Sequence, residues 1–159
     1  MDEFDLLGPL PAERSTTVLE ASAGTGKTFT LAALVTRYIA EGRASLDQML
    51  LITFSRAATQ ELRERVREAL QLALRAFDDQ ALARGNDVVS LLIIGDADEL
   101  AERRRRLRDA LAGFDAATIA TTHQFCQMVL KSLGVAGDSD TGVTLVESLD
   151  ELVLSLIHI

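Results

Sequence analysis

Gly24-Thr25-Gly26-Lys27-Thr28 restricts this chain more than any other stretch. Apolar Val18 and Leu19 precede it and suit a buried strand. Leu31, Leu34, Val35, Tyr38 and Ile39 follow it at helical spacing. A glycine-rich loop that joins a strand to a helix and ends in Gly-Lys-Thr is the setting in which a Walker A match carries weight. Glycine lets the backbone turn tightly and aim its N–H groups inward. The helix behind the loop adds N–H groups without intrahelical partners and the positive end of its dipole. Ala21, Ser22, Ala23, Gly24, Thr25, Gly26, Lys27 and Thr28 are therefore the candidate phosphate-binding residues. In that reading Lys27 reaches the β- and γ-phosphates of ATP and the Thr28 hydroxyl holds Mg²⁺. Ala21 stands where the usual pattern opens with glycine, so the entry turn differs slightly. The plain alternative is a glycine turn ahead of an ordinary helix, and Gly-Lys-Thr at a strand-to-helix junction weighs against it.

The remaining pattern predicts an α/β chain. A lead-in containing Gly8-Pro9-Leu10-Pro11 cannot be a regular helix. A first strand is expected over 16–21 and a first helix over 27–40, with Gly42 as its stop. The apolar run over 49–54 reads as a buried parallel strand. Strand, helix and strand at this spacing make a βαβ unit with a right-handed crossover. A long helix over 56–77 buries Leu62, Val66, Ala69, Leu70, Ala73 and Phe77 and shows Arg63, Glu64, Arg67 and Glu68 to solvent. Glu61 and Arg65 are expected to pair across one turn. Residues 78–86 read as a connection, 88–94 as either helix or strand, and 98–112 as a helix with Leu100, Leu107 and Leu111 inward. That helix carries Arg103-Arg104-Arg105-Arg106. One reading is a DNA-binding patch. The other is a solvated face with the pairs Glu99–Arg103, Glu102–Arg106 and Arg105–Asp109, and the spacing favours it. A further strand is expected over 116–121. A helix follows with Phe125, Met128, Val129 and Leu133 on one side, and Gly134 closes it. A loop over 135–142 and a short edge strand over 144–146 come next. Ser148-Leu149-Asp150-Glu151 reads as a capping box.

At 159 residues the chain is one domain or part of one. Aromatic residues are 4% and Trp is absent, so the core must be built from Leu, Ile, Val and Ala. A net charge of −8 argues against a general basic coat for nucleic acid, although a local track needs only locally placed cations. Cys126 is alone, which rules out an internal disulfide and fits a reducing cytoplasm; it reads as a small buried residue. The N-terminus is acidic where a signal peptide is basic. No apolar run approaches the ~20 residues that span a bilayer, so no membrane partner is expected.

Three stretches together resemble one family. Residues 19–30, Leu-Glu-Ala-Ser-Ala-Gly-Thr-Gly-Lys-Thr-Phe-Thr, are similar to motif I of the UvrD/Rep-like superfamily-one helicases, and most of all to the RecB branch, where the opening alanine is normal. Residues 51–62, beginning Leu-Ile-Thr-Phe-Ser-Arg, resemble motif Ia. Residues 118–126, ending Thr-Thr-His-Gln-Phe-Cys, resemble the Thr-x-His motif that follows it. The resemblance spans residues 15 to 152. It implies a P-loop NTPase (RecA-like) parallel sheet flanked by helices, incomplete here and carrying a helical insertion. It also implies ATP and Mg²⁺ as cofactors and single-stranded DNA as partner, with RecC- and RecD-like subunits possible in the parent complex. By resemblance Thr53, Phe54, Ser55 and Arg56 line a DNA track together with Thr122, His123 and Phe125. Phe54 fits packing beneath the contacts better than meeting a base, and Phe125 fits a base contact and the apolar face of its helix equally well.

A Walker B carboxylate, a water-orienting residue and an arginine finger are also needed for hydrolysis. The family carries them after the Thr-x-His motif. The local stretch 91–99, Leu-Leu-Ile-Ile-Gly-Asp-Ala-Asp-Glu, superficially resembles Walker B but comes before that motif. Three readings follow. The first is the N-terminal part of a RecB-like helicase motor domain over 1–153, inactive by itself, with 154–159 a tail of doubtful origin. The second is a small self-contained phosphotransferase that uses Asp98 or Glu99 for Mg²⁺. The third is a non-catalytic nucleotide- or DNA-binding module.

Overall fold

The computed structural model describes residues 5–12, 15–20 and 26–132. Helix α1, Lys27–Ala40, starts behind Gly26, whose φ of 84° is a left-handed conformation that glycine adopts without cost. It ends as its sequence predicts. Gly42 has φ 72°; its N–H donates to Ile39 O at 3.0 Å and the Arg43 N–H donates to Tyr38 O at 2.8 Å, the two bonds of a Schellman cap. A 3₁₀ turn at Leu46–Gln48 leads into β1, Leu50–Thr53, and then α2, Arg56–Ala76. Beyond a second 3₁₀ turn at Gln80–Ala83 come α3, Asp87–Leu92, and α4, Ala97–Ala112. A third 3₁₀ turn at Phe114–Ala116 enters β2, Thr118–Thr121, which passes directly into α5, Thr122–Ser132.

The two strands pair in parallel, with Leu50 opposite Thr118 and Thr53 opposite Thr121. Parallel neighbours require a crossover, and α2, α3 and α4 supply it. The core lies where α1, α2 and α4 meet. Leu70 and Val66 of α2, Leu107 of α4, Leu92 of α3 and Phe114 are fully buried, with Ala32, Val35 and Ile39 of α1 and Ile119 of β2 packed around them. The apolar face of α2 is the one its periodicity marks, with Ala69 and Phe77 half-buried at its margin. Among the described residues Phe114 is the one fully buried aromatic, as expected for a core of aliphatic side chains.

Several expectations are corrected. Residues 15–20 carry no strand and Val18 is 77% exposed, because β1 and β2 pair with each other and no described strand stands beside 16–20. β1 is not buried on both faces: Leu50 and Ile52 are exposed. The ambiguous stretch 88–94 is helical through Leu92. Arg65 pairs with Glu68 at 3.2 Å rather than with Glu61. None of α5 is buried, since it leans on the strand ends and no described element covers Met128, Val129 or Leu130. Cys126, on the same helix, is exposed. The expectations for residues 133–159 lie outside the described residues.

The four consecutive arginines of α4 serve the fold. Arg103 donates from Nη1 to Leu92 O and Ile94 O at 3.0 and 2.8 Å and pairs with Glu99, closing the end of α3. Arg104 pairs with Asp78 just after α2 at 2.6 Å. Arg105 holds Glu102 and Asp109 along its own helix, each at 2.7 Å. Arg106 pairs with Glu102 at 3.2 Å and donates to Ala40 O at 3.1 Å, at the end of α1. All three pairs that the spacing predicts are present. The Glu102 carboxyl is held below the usual carboxylate range, chiefly by the hydrogen bond from Arg105. On the lead-in side, buried Arg37 donates from Nη1 to Leu6 O and Gly8 O at 2.6 and 2.8 Å and pairs with Glu41.

Gly42 and Arg106 are coupled. A Cβ on Gly42 would lie 2.6 Å from the Arg106 guanidinium, and its backbone is left-handed as well. Gly42→Ala is expected to destabilise the chain by about 1–3 kcal/mol in chemical denaturation, and by less in an Arg106→Ala background, where only the backbone strain remains.

Candidate functional site

At the start of α1, Gly26 and Lys27 are exposed and Thr28 is half-buried. The N-cap Gly26 contributes no side-chain hydrogen bond, and the first turn carries no acidic residue. The neighbouring helices differ. Ser55 caps α2 by accepting from Ala58 N at 3.1 Å, Asn86 caps α3 by accepting from Val89 N at 3.1 Å, and Asp96 caps α4 by accepting from Glu99 N at 2.8 Å. A helix that opens on a left-handed glycine, with no acidic residue in its first turn, suits an anion at its dipole. Ala21, Ser22, Ala23, Gly24 and Thr25 lie outside the described residues.

The second group of candidates lies on one rim of the sheet. Because Thr53 is in register with Thr121, the turn after β1 and the turn after β2 sit side by side at the C-terminal ends of parallel strands. Open α/β sheets take their ligands at such ends. On the β1 side, the Thr53 and Thr59 hydroxyls are 2.5 Å apart, and the Thr59 hydroxyl donates to Ser55 O at 3.0 Å. These bonds tie the strand end to the first turn of α2. Ser55 and Arg56 are exposed. Phe54 is 98% exposed, which overturns the expectation that it packs beneath the site: at the tip of the turn it has nothing to pack against.

On the β2 side, the Thr121 hydroxyl accepts from Gln124 N at 3.2 Å while Gln124 Oε1 accepts from Thr121 N at 2.9 Å. This is a reciprocal capping box, with Thr122 and His123 between its two members. Both are exposed, and Phe125 is half-buried. Thr121 is fully buried, so the turn is anchored from below. Gln124 and Thr59 were not singled out from the sequence. The Thr-x-x-Gln spacing at 121–124 carried the signal for Gln124; nothing in the sequence marked Thr59.

The Asp98 and Glu99 alternative meets a different geometry. The apolar run before these acids is the end of a helix, Leu91 and Leu92, and the turn after it, so they follow no strand. Asp96 is occupied as a cap, and Glu99 pairs with Arg103. Among the described residues no three His, Cys, Asp or Glu side chains cluster as a metal site, and no helix is long and apolar enough to cross a membrane.

Comparison with known proteins gives a consistent pattern. Residues 8–158 match the UvrD/REP helicase N-terminal domain. The chain is 71% identical over 157 residues to the RecBCD enzyme subunit RecB of Mycolicibacterium smegmatis, covering 99% of this chain and 14% of the relative. It is 64% identical over 157 residues, with the same coverage, to the RecBCD enzyme subunit RecB of Mycobacterium tuberculosis strain H37Rv. The Escherichia coli K12 protein of that name is 37% identical over 134 residues, covering 77% of this chain and 10% of the relative. The chain thus spans about one seventh of the length of the mycobacterial relatives, 14% in each case.

The capping box generates a local test. Thr121→Val keeps the side-chain shape and removes the hydroxyl. It is expected to cost about 1 kcal/mol in denaturation and to speed amide exchange at His123 and Gln124, with little change in α1.

Proposed function

The chain belongs to the UvrD/REP helicase N-terminal domain family, and on that premise we propose that it is the ATP-binding part of the motor domain of a RecB-like DNA helicase subunit, built on a P-loop (RecA-like) sheet. The observation that carries the reading is the register of Thr53 with Thr121, which sets the two motif-bearing turns on a single rim. In the parent protein the subunit translocates 3′ to 5′ along single-stranded DNA, works in recombination and double-strand-break repair, and assembles with RecC- and RecD-like partners in the cytoplasm. The relatives' printed name, RecBCD enzyme subunit, supports the partners.

In this reading Ala21, Ser22, Ala23, Gly24, Thr25 and Gly26 would hold the phosphates through backbone N–H groups, Lys27 would supply the counter-charge and the Thr28 hydroxyl would be a ligand for Mg²⁺. The left-handed glycine start of α1, with no acid in its first turn, fits that ligand. When bound, MgATP supplies the phosphoanhydride whose cleavage drives movement. On the rim, Ser55 and Arg56 hold DNA phosphates, with Thr53 and Thr122 beside them. Phe54, His123 and Phe125 offer faces on which bases stack. The exposure of Phe54 supports stacking. The chain as it stands binds nucleotide weakly and does not unwind DNA, because the groups that orient water and complete the metal site come from later motifs of the family.

The test is titration of the 159-residue chain with a fluorescent MgATP analogue and with labelled oligo-dT. Wild type is expected to bind the analogue without steady turnover, and Lys27→Ala to weaken that binding by about tenfold or more, the loss of a charge-assisted phosphate contact. Steady turnover abolished by Asp98→Asn would instead favour the self-contained phosphotransferase. Salt-dependent oligo-dT binding, with no nucleotide binding that depends on Lys27, would favour a non-catalytic module.

A further inference from the structure

Each turn of the rim is fixed locally, Thr53 and Ser55 by Thr59, and Thr121 by Gln124. Strand pairing aligns β1 with β2. Neither device bonds α2, which begins at the first turn, directly to β2, which ends at the second. A polar side chain of α2 does. Arg63, two turns into α2, donates from Nη2 to Ile119 O at 3.2 Å and to Ala117 O at 3.5 Å, across 56 and 54 residues.

Sequence periodicity puts Arg63 on the solvated face of α2, yet it is half-buried and its partners among the described residues are main-chain carbonyls. Its neighbours behave otherwise. Glu64 accepts from Gln60, Arg65 pairs with Glu68, and Arg67 pairs with Asp115 and lies 4.4 Å from the Phe114 ring centre, ahead of β2. A guanidinium presents its donors in a rigid fork, and bonds from a charged donor are stronger than neutral ones. Arg63 is therefore suited to lock a helix against a strand at a defined height.

We propose that Arg63 is a positioning residue for the DNA rim: by bonding Ala117 O and Ile119 O it holds the Ser55–Arg56 turn level with the Thr122–His123 turn, so that one strand of nucleic acid meets both. This rests on the proposed reading of the rim. Arg63 itself makes no phosphate contact, which separates it from Arg56. A phosphate ligand contributes to the salt dependence of binding, roughly 0.7 units of slope per contact for single strands. A positioning residue changes affinity and leaves that slope alone.

The experiment is fluorescence anisotropy of labelled oligo-dT with the 159-residue chain across a salt series, alongside binding of the MgATP analogue. Arg63→Ala is expected to lower oligo-dT affinity by about tenfold, with the salt slope and nucleotide affinity unchanged. Arg63→Lys, whose ammonium reaches one carbonyl, recovers most of the loss. Arg56→Ala flattens the slope. If Arg63→Ala flattens the slope as Arg56→Ala does, Arg63 is a phosphate ligand and the proposal falls. It also falls if oligo-dT affinity is unchanged, or if nucleotide affinity drops in step, which marks a general packing role. Should Arg63→Ala fail to fold, Arg63→Gln, which keeps a donor and drops the charge, carries the same comparison: weaker binding at constant slope supports the proposal, and a flattened slope or unchanged affinity overturns it. Wild-type chain that ignores oligo-dT overturns the rim reading and this inference with it, and that outcome is distinct from an Arg63 variant that binds normally.

Discussion

The parallel pairing of β1 with β2 is the constraint on which the other features depend. Parallel strands cannot be joined by a hairpin, so everything between Thr53 and Thr118 must travel back over the sheet. The chain meets that demand with α2, α3 and α4, and their apolar faces, with that of α1, become the core around Leu70, Leu92 and Leu107. The same register aligns two strand-to-helix turns. A slip of one residue would turn Ile119 to the opposite face of the sheet and pull the Thr-x-His turn away from the motif Ia turn.

A second theme is the use of arginine in an acidic chain. Arg37, Arg63, Arg103 and Arg106 each reach a main-chain carbonyl outside their own helix: Leu6 and Gly8, Ala117 and Ile119, Leu92 and Ile94, and Ala40. A carbonyl oxygen has two lone pairs, and a guanidinium can bond two carbonyls at once. Short connections are tied down this way without large hydrophobic residues, which suits a chain with so few aromatics. It also explains how a run of four arginines can be spent on architecture, with DNA contact proposed for the opposite end of the crossover.

The legibility of the molecule divides along the distance scale of each interaction. The stop of α1 at Gly42, the Ser55 start of α2 and the three ion pairs of α4 are relations within six residues, and each is found where spacing puts it. The motifs after the two strands could likewise be assigned to a strand end from a short window. Phe54, Cys126 and Val18 read as packed residues and are exposed, since hydrophobicity states a preference and a neighbouring element must exist to satisfy it. Arg63 erred in the opposite direction: helical periodicity assigns it to water, and a strand more than fifty residues away takes it.

The sequence by itself determined the local chemistry: a Gly-Lys-Thr turn ahead of a helix, caps and stops, which face of α2 is apolar, and the order of motifs that places the chain in its family. Those are properties of neighbouring residues, decided by backbone sterics and short hydrogen bonds. The tertiary structure alone decided which turns share a rim, which carbonyl each arginine satisfies and which apolar residues remain uncovered. These outcomes depend on partners far along the chain, and helical and strand periods specify a face without specifying what will lie against it.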